Sequence, residues 1–378
     1  MRQTSPRTDS WPDIVRLVSS VVDLDETARS TKAFLRPRGL RSPEILLRLA
    51  LMYGAGAISL RGVAAEAARL GLAAVSDVAV LNRLRNCGDW LALLLERLLA
   101  ARAGLPASDA AAGALLRLVL VDGSTVSAPG SGGSDWRLHA RYEPGAGRFT
   151  GLVLTEATCA ESLSCVAVSA GDVIVCDRGY ARVRNFAAVR QAGSHFITRI
   201  GWRSVKLFDP DGNDFDPLAH LPASGQDVVE HTVRLGTGAA AATARLVIKR
   251  IPPEMLERQK QRLRRKQSRK GQRTDPRTIL AAGFMMLLTS VPAELCPAER
   301  VVALYRLRWQ IELAFKRLKS IGGLGDLPAS DPRLARTWLL AQLIIAVLNE
   351  DLATRVLDSP PSTRRHSTDA PTDPLASM

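Results

Sequence analysis

The first patterned part of the chain predicts a group of short helices. From residue 42 to residue 103, apolar residues recur every three or four positions, the spacing that places them on one face of an α-helix. Ser42, Ser59 and Ser76 each stand just before such a segment and are candidate N-caps. Residues 1–30 are polar and poorly patterned, so a loosely held arm is expected there.

Two of these helices are separated by a tight turn that contains Gly71, which is typical of a helix-turn-helix. In that interpretation residues 75–86 form the recognition helix and expose Asn82, Arg83 and Arg85. An ordinary small helical bundle explains the same pattern at least as well. The pattern alone therefore leaves both readings open.

The middle of the chain predicts strands, and two of them end at an aspartate. The apolar run 115–121 leads into Asp122, and the run 173–176 leads into Asp177. Continuous apolar runs are typical of strands buried on both faces, which would expose each aspartate at a strand end. An Asp-Gly turn is the simpler alternative for Asp122. Residues 136–158 predict a hairpin around a turn at 144–147.

After Asp177 the pattern predicts more strands and one very basic segment. Strand-like composition recurs at 196–200, 228–235, 244–251 and 280–292. Residues 257–277 carry most of the local positive charge with few apolar residues, which favours a flexible, solvated basic loop.

The most informative pattern is the amphipathic segment from Tyr305 to Lys319. As one helix, it places Tyr305, Arg308, Glu312 and Lys319 within about 60° of one another, at about 100° per residue. Its apolar residues form a separate stripe about 90° away. A carboxylate, two cations and a phenol would thus lie at the edge of the buried face, where a cleft could form. A solvated ladder of salt bridges is the alternative.

Composition narrows the function classes. The 378 residues are 46% hydrophobic, which allows a substantial core, and the net charge of +14 with a pI near 10.2 favours a polyanionic partner, nucleic acid first. The five cysteines include no CxxC pair and the five histidines are scattered, which argues against a disulfide framework or a zinc site. The sequence contains neither a signal-peptide core nor a long enough apolar run to span a membrane, so a cytoplasmic protein is expected.

Three blocks of the sequence together resemble the IS4 family of DDE transposases, the group that includes the Tn5 and Tn10 transposases. The blocks are DGST at 122–125, DRGY at 177–180 and the spacing Y-x2-R-x3-E-x6-K from Tyr305 to Lys319. Each aspartate block alone is weak, but the three in order are specific. The resemblance covers residues 40–350.

The resemblance implies an α/β fold: a ribonuclease-H-like catalytic core, with a mixed sheet flanked by helices, interrupted by a β-rich insertion and preceded by an all-α domain. The 134 residues between Asp177 and Glu312 leave room for that insertion. The expected organisation is a flexible arm (1–30), a helical DNA-binding domain (31–106), the first part of the core (115–190), a β-rich insertion domain with a basic loop (191–277), the second part of the core (278–357) and a disordered tail (358–378).

The resemblance also implies a site and a reaction. Asp122, Asp177 and Glu312 would be the catalytic metal ligands for two Mg²⁺ (or Mn²⁺) ions, which suit oxygen donors. The enzyme would cut double-stranded DNA at transposon ends, through hairpin ends, and join them to target DNA as a homodimer at the bacterial nucleoid. Further candidate DNA contacts are Tyr305, Arg308, Lys319, Arg178, Tyr180, Trp202, Arg264, Arg265 and Lys266.

Two other functions fit the same residues. A structure-specific nuclease on a ribonuclease-H-like fold would use similar carboxylates, but it would need neither the Tyr305–Lys319 row nor the long insertion. A transposase-derived DNA-binding protein that has lost catalysis would not need all three acidic residues. Cleavage and joining assays separate these alternatives.

Overall fold

The computed structural model describes residues 11–55, 58–103, 116–159, 162–236, 242–271, 274–320, 323–325 and 327–358. Residues 1–10 of the expected arm and nearly all of the expected tail lie outside these ranges. The helices are α1 (Trp11–Ser19), α2 (Leu24–Ser30), α3 (Pro43–Gly54), α4 (Leu60–Arg69), α5 (Asp77–Leu84), α6 (Gly88–Ala103), α7 (Val183–Gln191), α8 (Pro253–Lys270), α9 (Pro276–Ala281), α10 (Ala298–Arg306), α11 (Trp309–Ser320) and α12 (Pro332–Asp358).

The predicted caps of the N-terminal helices are confirmed. The hydroxyls of Ser42, Ser59 and Ser76 accept hydrogen bonds from backbone N–H groups at the starts of α3, α4 and α5. The expectation of a loose arm is wrong for residues 11–30, which form α1 and α2. Asp23 caps α2, and apolar residues of both helices pack into the core, so a few well-placed residues outweigh the polar composition.

One nine-stranded mixed sheet forms the centre of the molecule, in the order β3-β2-β1-β4-β5-β9-β8-β7-β6. Strands β1, β4 and β5 are parallel, and all other neighbours are antiparallel. This sheet flanked by helices fits a ribonuclease-H-like core. The strands are β1 (Arg117–Val126), β2 (Trp136–Glu143), β3 (Arg148–Glu156), β4 (Asp172–Cys176), β5 (His195–Ile200), β6 (Leu207–Phe208), β7 (Val228–Leu235), β8 (Ala242–Arg250) and β9 (Phe284–Thr289).

The strands after β5 extend the same sheet. β9 pairs with β5, and β8, β7 and β6 follow outward from β9. The strand predictions for this region are confirmed. The expected basic loop is wrong, because most of that segment is the helix α8. Arg, Lys, Gln and Glu are good helix formers, and the helix starts at Pro253 and ends at Gly271, which has a left-handed φ of 63°.

Each face of the sheet has its own hydrophobic core. Side chains alternate along a strand, so Leu120 of β1 and Val175 of β4 face one core while Val121 and Cys176 face the other. The first core also contains most of the N-terminal helices together with α10, α11 and α12. The N-terminal helices therefore share one core with the catalytic sheet.

Helix α12 packs against both the N-terminal helices and the sheet. It packs against α3 and α6, and a methyl group on Gly54 of α3 would collide with Ala341 of α12. Arg102 of α6, almost fully buried, makes ion pairs with Glu350 and Asp351 of α12 at 2.8 Å each. It also donates hydrogen bonds to backbone carbonyls of β3 and α12. Within the described residues, no helix has the length and apolar character needed to cross a bilayer.

Candidate active site

Two aspartates lie side by side where the parallel pairing of β1 and β4 ends. Asp177 directly follows β4, but Asp122 lies inside β1, which continues to Val126 and stays paired with β2, so the expected strand end at Asp122 was wrong. Val121 of β1 pairs with Cys176 of β4, so Asp122 and Asp177 are the next residues of the two strands at the same level. They face the same side of the sheet as Leu120 and Val175, because the side chains alternate. Residues 55 positions apart in sequence are thus brought together by strand register.

The row from Tyr305 to Lys319 reaches these aspartates, but not as one helix. α10 ends at Arg306 and α11 starts at Trp309. In the turn between them, Leu307 and Arg308 donate backbone hydrogen bonds three residues back instead of four. The prediction of a continuous helix was therefore wrong at Arg308. A helical wheel treats the axis as straight and cannot detect such a break.

Arg308 links two of the three predicted acidic residues. Its guanidinium is 3.4 Å from Asp122 Oδ2 and 2.5 Å from Glu312 Oε1. The Arg308 and Asp122 side chains are 19% and 18% exposed, whereas Glu312 is 54% exposed. Burial opposes the positive charge, but Tyr305, Glu312 and Asp177 outweigh it and raise the pKa of Arg308. The side chain is a permanent cation between carboxylates.

Tyr305 contacts the third acidic residue. Its hydroxyl donates a hydrogen bond to Asp177 Oδ1 at 3.3 Å. Burial first, and then the negative charge of Asp177, raise the pKa of Tyr305 to about 12. The phenol is therefore neutral at physiological pH and acts as a hydrogen-bond donor.

Lys319 anchors the far end of the row. Its Nζ donates to the backbone carbonyl of Thr125 at 2.9 Å, three residues beyond Asp122 on β1. Helix α11 also packs against β1. The contacts of Tyr305, Arg308 and Lys319 together hold α10 and α11 over the end of the aspartate-bearing strands.

One basic residue at this site was missed by the sequence reasoning. Thr198 of β5 pairs with Cys176, so Arg199 lies beside Asp177 at the same level of the sheet. Its positive charge acts on Tyr305, where it works against the raised pKa. The sequence did contain a signal for it. Arg199 stands near the end of the short apolar strand 195–200, and this strand lies next to the one that precedes Asp177.

The donor set at this site suits a hard divalent cation. Asp122, Asp177 and Glu312 offer only carboxylate oxygens, which Mg²⁺ and Mn²⁺ prefer. The oxygens of these three carboxylates do not all lie within 4.8 Å of one another. Among the described residues, only the group of His139, Cys159 and Cys165 has ligand atoms that close together. The Arg308 guanidinium takes up part of the space between Asp122 and Glu312.

The remaining candidate DNA contacts differ in exposure. Arg178 is exposed beside Asp177, whereas Tyr180 is fully buried in the second core, so its expected contact with DNA is corrected to a packing role. Arg264 and Arg265 are exposed on α8, and Lys266 belongs to the same helix, with its side chain outside the described part.

Trp202 is partly buried and already has partners. Its indole N–H donates to Thr278 Oγ1 at 3.3 Å, and the guanidinium of Arg277 lies 4.4 Å from its ring centroid. A second guanidinium, from Arg203, lies 5.3 Å from the ring. The ring therefore packs against the edge of the second core and is also flanked by two guanidinium groups.

The expected recognition helix is only partly exposed. Asn82 of α5 is exposed, but Arg83 donates hydrogen bonds to the carbonyls of Arg36 and Arg38, and Arg85 forms an ion pair with Asp331. The expectation of two exposed arginines on this helix was therefore wrong. Arg83 fastens α5 to the segment before α3, and Arg85 fastens the end of α5 to the residue before α12.

Comparison with known proteins agrees with this geometry. Residues 113–348, more than half of the chain, match the family described as "Transposase DDE domain". The matched region includes both aspartates, the glutamate and all nine strands.

Individual relatives extend the similarity to the N-terminal helices. The chain is 40% identical over 362 residues to the putative transposase InsL of insertion sequence element IS186A from Escherichia coli strain K12, covering 93% of this chain and 96% of the relative. It is 39% identical over 363 residues to the transposase of IS421 from Escherichia coli, with the same coverage. The transposase of IS231F from Bacillus thuringiensis subsp. israelensis is 27% identical over 167 residues, 40% of this chain and 35% of that relative. The chain therefore belongs to the IS4-family DDE transposases of insertion sequences.

Proposed function

We propose that this transposase binds the terminal inverted repeats of its element, cleaves the DNA strands there and joins the freed 3′ ends to target DNA. The single observation that supports this most is the set of contacts from the Tyr305–Lys319 row to the two aspartates. Tyr305 reaches Asp177, and Arg308 reaches both Asp122 and Glu312. Three acidic residues that are remote along the chain thereby each contact a side chain of the same row.

Membership of the family implies dependence on a divalent metal ion. We assign Asp122, Asp177 and Glu312 as its ligands, with two Mg²⁺ ions (or Mn²⁺) as the natural cofactors. When bound, such ions activate the attacking oxygen and neutralise charge on the phosphorus transition state. In the metal-free protein, Arg308 provides the positive charge that keeps Asp122 and Glu312 from repelling each other.

The basic and phenolic groups of the row would position the DNA. Arg308 presents several N–H donors in a planar fork, which matches phosphate oxygens, and it would turn from a carboxylate to a phosphate when metal binds. Tyr305 stays protonated and can donate to a phosphate oxygen. Lys319, at the end of the row, would contact the backbone further along the strand.

The wider DNA path would use basic surfaces on both sides of the site. Arg178 is exposed next to Asp177, and Arg264, Arg265 and Lys266 lie on the basic helix α8. We assign β6–β8 and α8 to the insertion of the ribonuclease-H-like core. Trp202, with its adjacent arginines, is a candidate platform for an unstacked base, since base stacking on an aromatic ring tolerates any sequence.

The N-terminal helices would bind the element ends. A surface concavity there is lined by Lys32, Arg36 and Arg38 together with Asn82 of α5 and Asn86 just after that helix. Backbone phosphates and base edges both suit this mixture of cations and amides. We further propose that two chains pair the two ends as a homodimer and that second-strand cleavage proceeds through hairpin ends. Ultracentrifugation with and without end DNA tests the dimer.

The test is a cleavage and strand-transfer assay with Mg²⁺ on DNA that carries the element's terminal repeats. Glu312→Gln, Asp122→Asn and Asp177→Asn should each reduce cleavage by at least about 10³-fold while binding of end DNA is kept. Glu299→Gln is a matched control, because Glu299 is exposed on α10 outside the contacts described above. Cleavage that survives Glu312→Gln would contradict the assignment.

The same assay separates the alternatives. A structure-specific nuclease would cut without joining the ends, and an inactive DNA-binding protein would bind the repeats without cutting them. Gel electrophoresis of end-labelled substrates distinguishes hairpin, nicked and joined products.

A further inference from the structure

A second group of possible metal ligands lies on the opposite face of the sheet from the acidic residues. A ring nitrogen of His139 and the sulfurs of Cys159 and Cys165 all lie within 4.8 Å of one another. His139 follows Leu138 and precedes Ala140, which both face the first core, so its side chain faces the other way. The three residues belong to β2, to the turn after β3 and to the short 3-10 helix Leu163–Cys165.

The hydrogen bonds around His139 leave one nitrogen available. Nε2 lies 3.1 Å from Thr155 Oγ1, and that hydroxyl can donate its single hydrogen to the carbonyl of Glu156 at 3.2 Å. Thr155 then accepts from Nε2–H, which places the imidazole lone pair on Nδ1. Nδ1 is buried and has no hydrogen-bond partner among the described residues. Burial, followed by the charge of Arg137, lowers the pKa of His139 and keeps the ring neutral.

The two sulfurs are spaced for one metal ion rather than for a covalent bond. Cys159 Sγ and Cys165 Sγ are 3.4 Å apart. A disulfide needs about 2.05 Å, whereas two thiolates bound at about 2.3 Å to one tetrahedral zinc ion lie about 3.8 Å apart. Both cysteines are partly exposed, so an ion and a water molecule as fourth ligand can reach them. Two thiolates would also neutralise the charge of a divalent ion.

We propose that His139 Nδ1, Cys159 Sγ and Cys165 Sγ form a zinc site that fastens the connection between β3 and β4 to the back of β2. Imidazole and thiolate are ligands that zinc prefers, and the hydrogen bond from the other ring nitrogen to the Thr155 hydroxyl would fix the tautomer and orientation of the histidine. β2 pairs with β1, and His139 lies opposite Gly123, next to Asp122. Zinc would thus stabilise the strand pair that carries part of the active site without touching the reacting groups.

Metal analysis of the full-length protein, purified in reducing buffer with zinc and then gel-filtered, tests the site. We expect about one zinc ion per chain, as for a single tetrahedral site. Cys159→Ser/Cys165→Ser should lose it, whereas Cys87→Ala should keep it, because Cys87 is buried in the other core. Circular dichroism checks that each variant is folded. Zinc that stays at wild-type level in the double variant would overturn the proposal.

A second measurement avoids reliance on the variants. Co²⁺ added to the metal-free wild-type protein in excess Mg²⁺, which occupies the carboxylate site, should give an intense thiolate-to-cobalt charge-transfer band. Zn²⁺ should also slow alkylation of Cys159 and Cys165. Absence of the band and of protection, or a Cys159–Cys165 disulfide in a protein that takes up no zinc after reduction, would show that the cluster is not a metal site.

Discussion

Removing the positive charge at Arg308 should show whether this side chain and a bound metal ion can replace each other in neutralising the acidic residues. In Arg308→Met the stem is kept and the guanidinium is lost. At 3.4 Å from Asp122, the attraction is about 5 kcal/mol at an effective dielectric constant of about 20. Most of this is offset by the cost of partly burying both charges, which leaves about 1–2 kcal/mol. The pair with the exposed Glu312 adds less than about 1 kcal/mol.

We therefore expect Arg308→Met to lower the free energy of unfolding by about 1–3 kcal/mol in EDTA, with part of the loss recovered in saturating Mg²⁺. Magnesium would neutralise the carboxylates that have lost their cation, so it should stabilise the variant more than the wild type, by about 1 kcal/mol. Cleavage should nevertheless fall, because the phosphate contact is gone. Urea unfolding followed by circular dichroism, with and without Mg²⁺, measures both stabilities.

Arg306→Met is the matched control, since Arg306 is exposed at the end of α10, two residues before Arg308. It should change neither the stability in EDTA nor the response to Mg²⁺. If Mg²⁺ stabilises wild type and Arg308→Met equally, or if the two variants behave alike in EDTA, then Arg308 does not compensate the acidic site and the reasoning fails.

Three further outcomes are expected. Arg102→Leu should cost about 3 kcal/mol of stability at neutral pH, because two partly buried carboxylates lose their buried cation. Burial already raises the pKa of Glu350 and Arg102 counteracts it, so the pKa of Glu350 rises further in the variant, and the loss of stability, measured by urea unfolding, should shrink as pH falls and Glu350 protonates. Tyr305→Phe should reduce cleavage by about tenfold, which corresponds to the net free energy of one hydrogen bond. The shape of the pH profile of cleavage should not change between about pH 6 and 9, because the phenol does not titrate there. Loss of an alkaline limb of that profile in the variant would contradict the role of Tyr305 as a neutral donor. Lys319→Ala should weaken binding of end DNA and reduce the slope of log affinity against log salt by about 1, whereas the exposed Lys316→Ala should leave that slope closer to wild type.

Local signals in the sequence were sufficient for most of the fold. Serines before apolar periodic segments marked the starts of α3, α4 and α5, and the apolar runs before Asp122 and Asp177 located β1 and β4, although β1 continues past Asp122 to Val126. These features succeed because capping and burial are decided by residues close together in the chain.

What the sequence did not reveal depends on distant contacts or on a bend in the axis. The turn at Arg308 is invisible to a helical wheel, and the ion pair of Arg85 with Asp331 joins residues far apart in the chain. The cluster around His139 was overlooked because its ligands come from separate elements without a CxxC spacing. α8 was a different kind of error, since its Pro and Gly boundaries were readable in the sequence.

The position of α12 has a consequence for how the chain matures during synthesis. Helices α3 and α6 find much of their packing surface on α12, with backbone approach at Gly54 too close for a side chain there. Because α12 follows all the other described elements along the chain, the leucine-rich N-terminal helices are synthesised long before their partner. Until α12 is synthesised, these helices expose hydrophobic surface to chaperones and to other nascent chains. Truncation shortly before α12 should yield an insoluble product, even though all three carboxylates proposed as metal ligands would still be encoded.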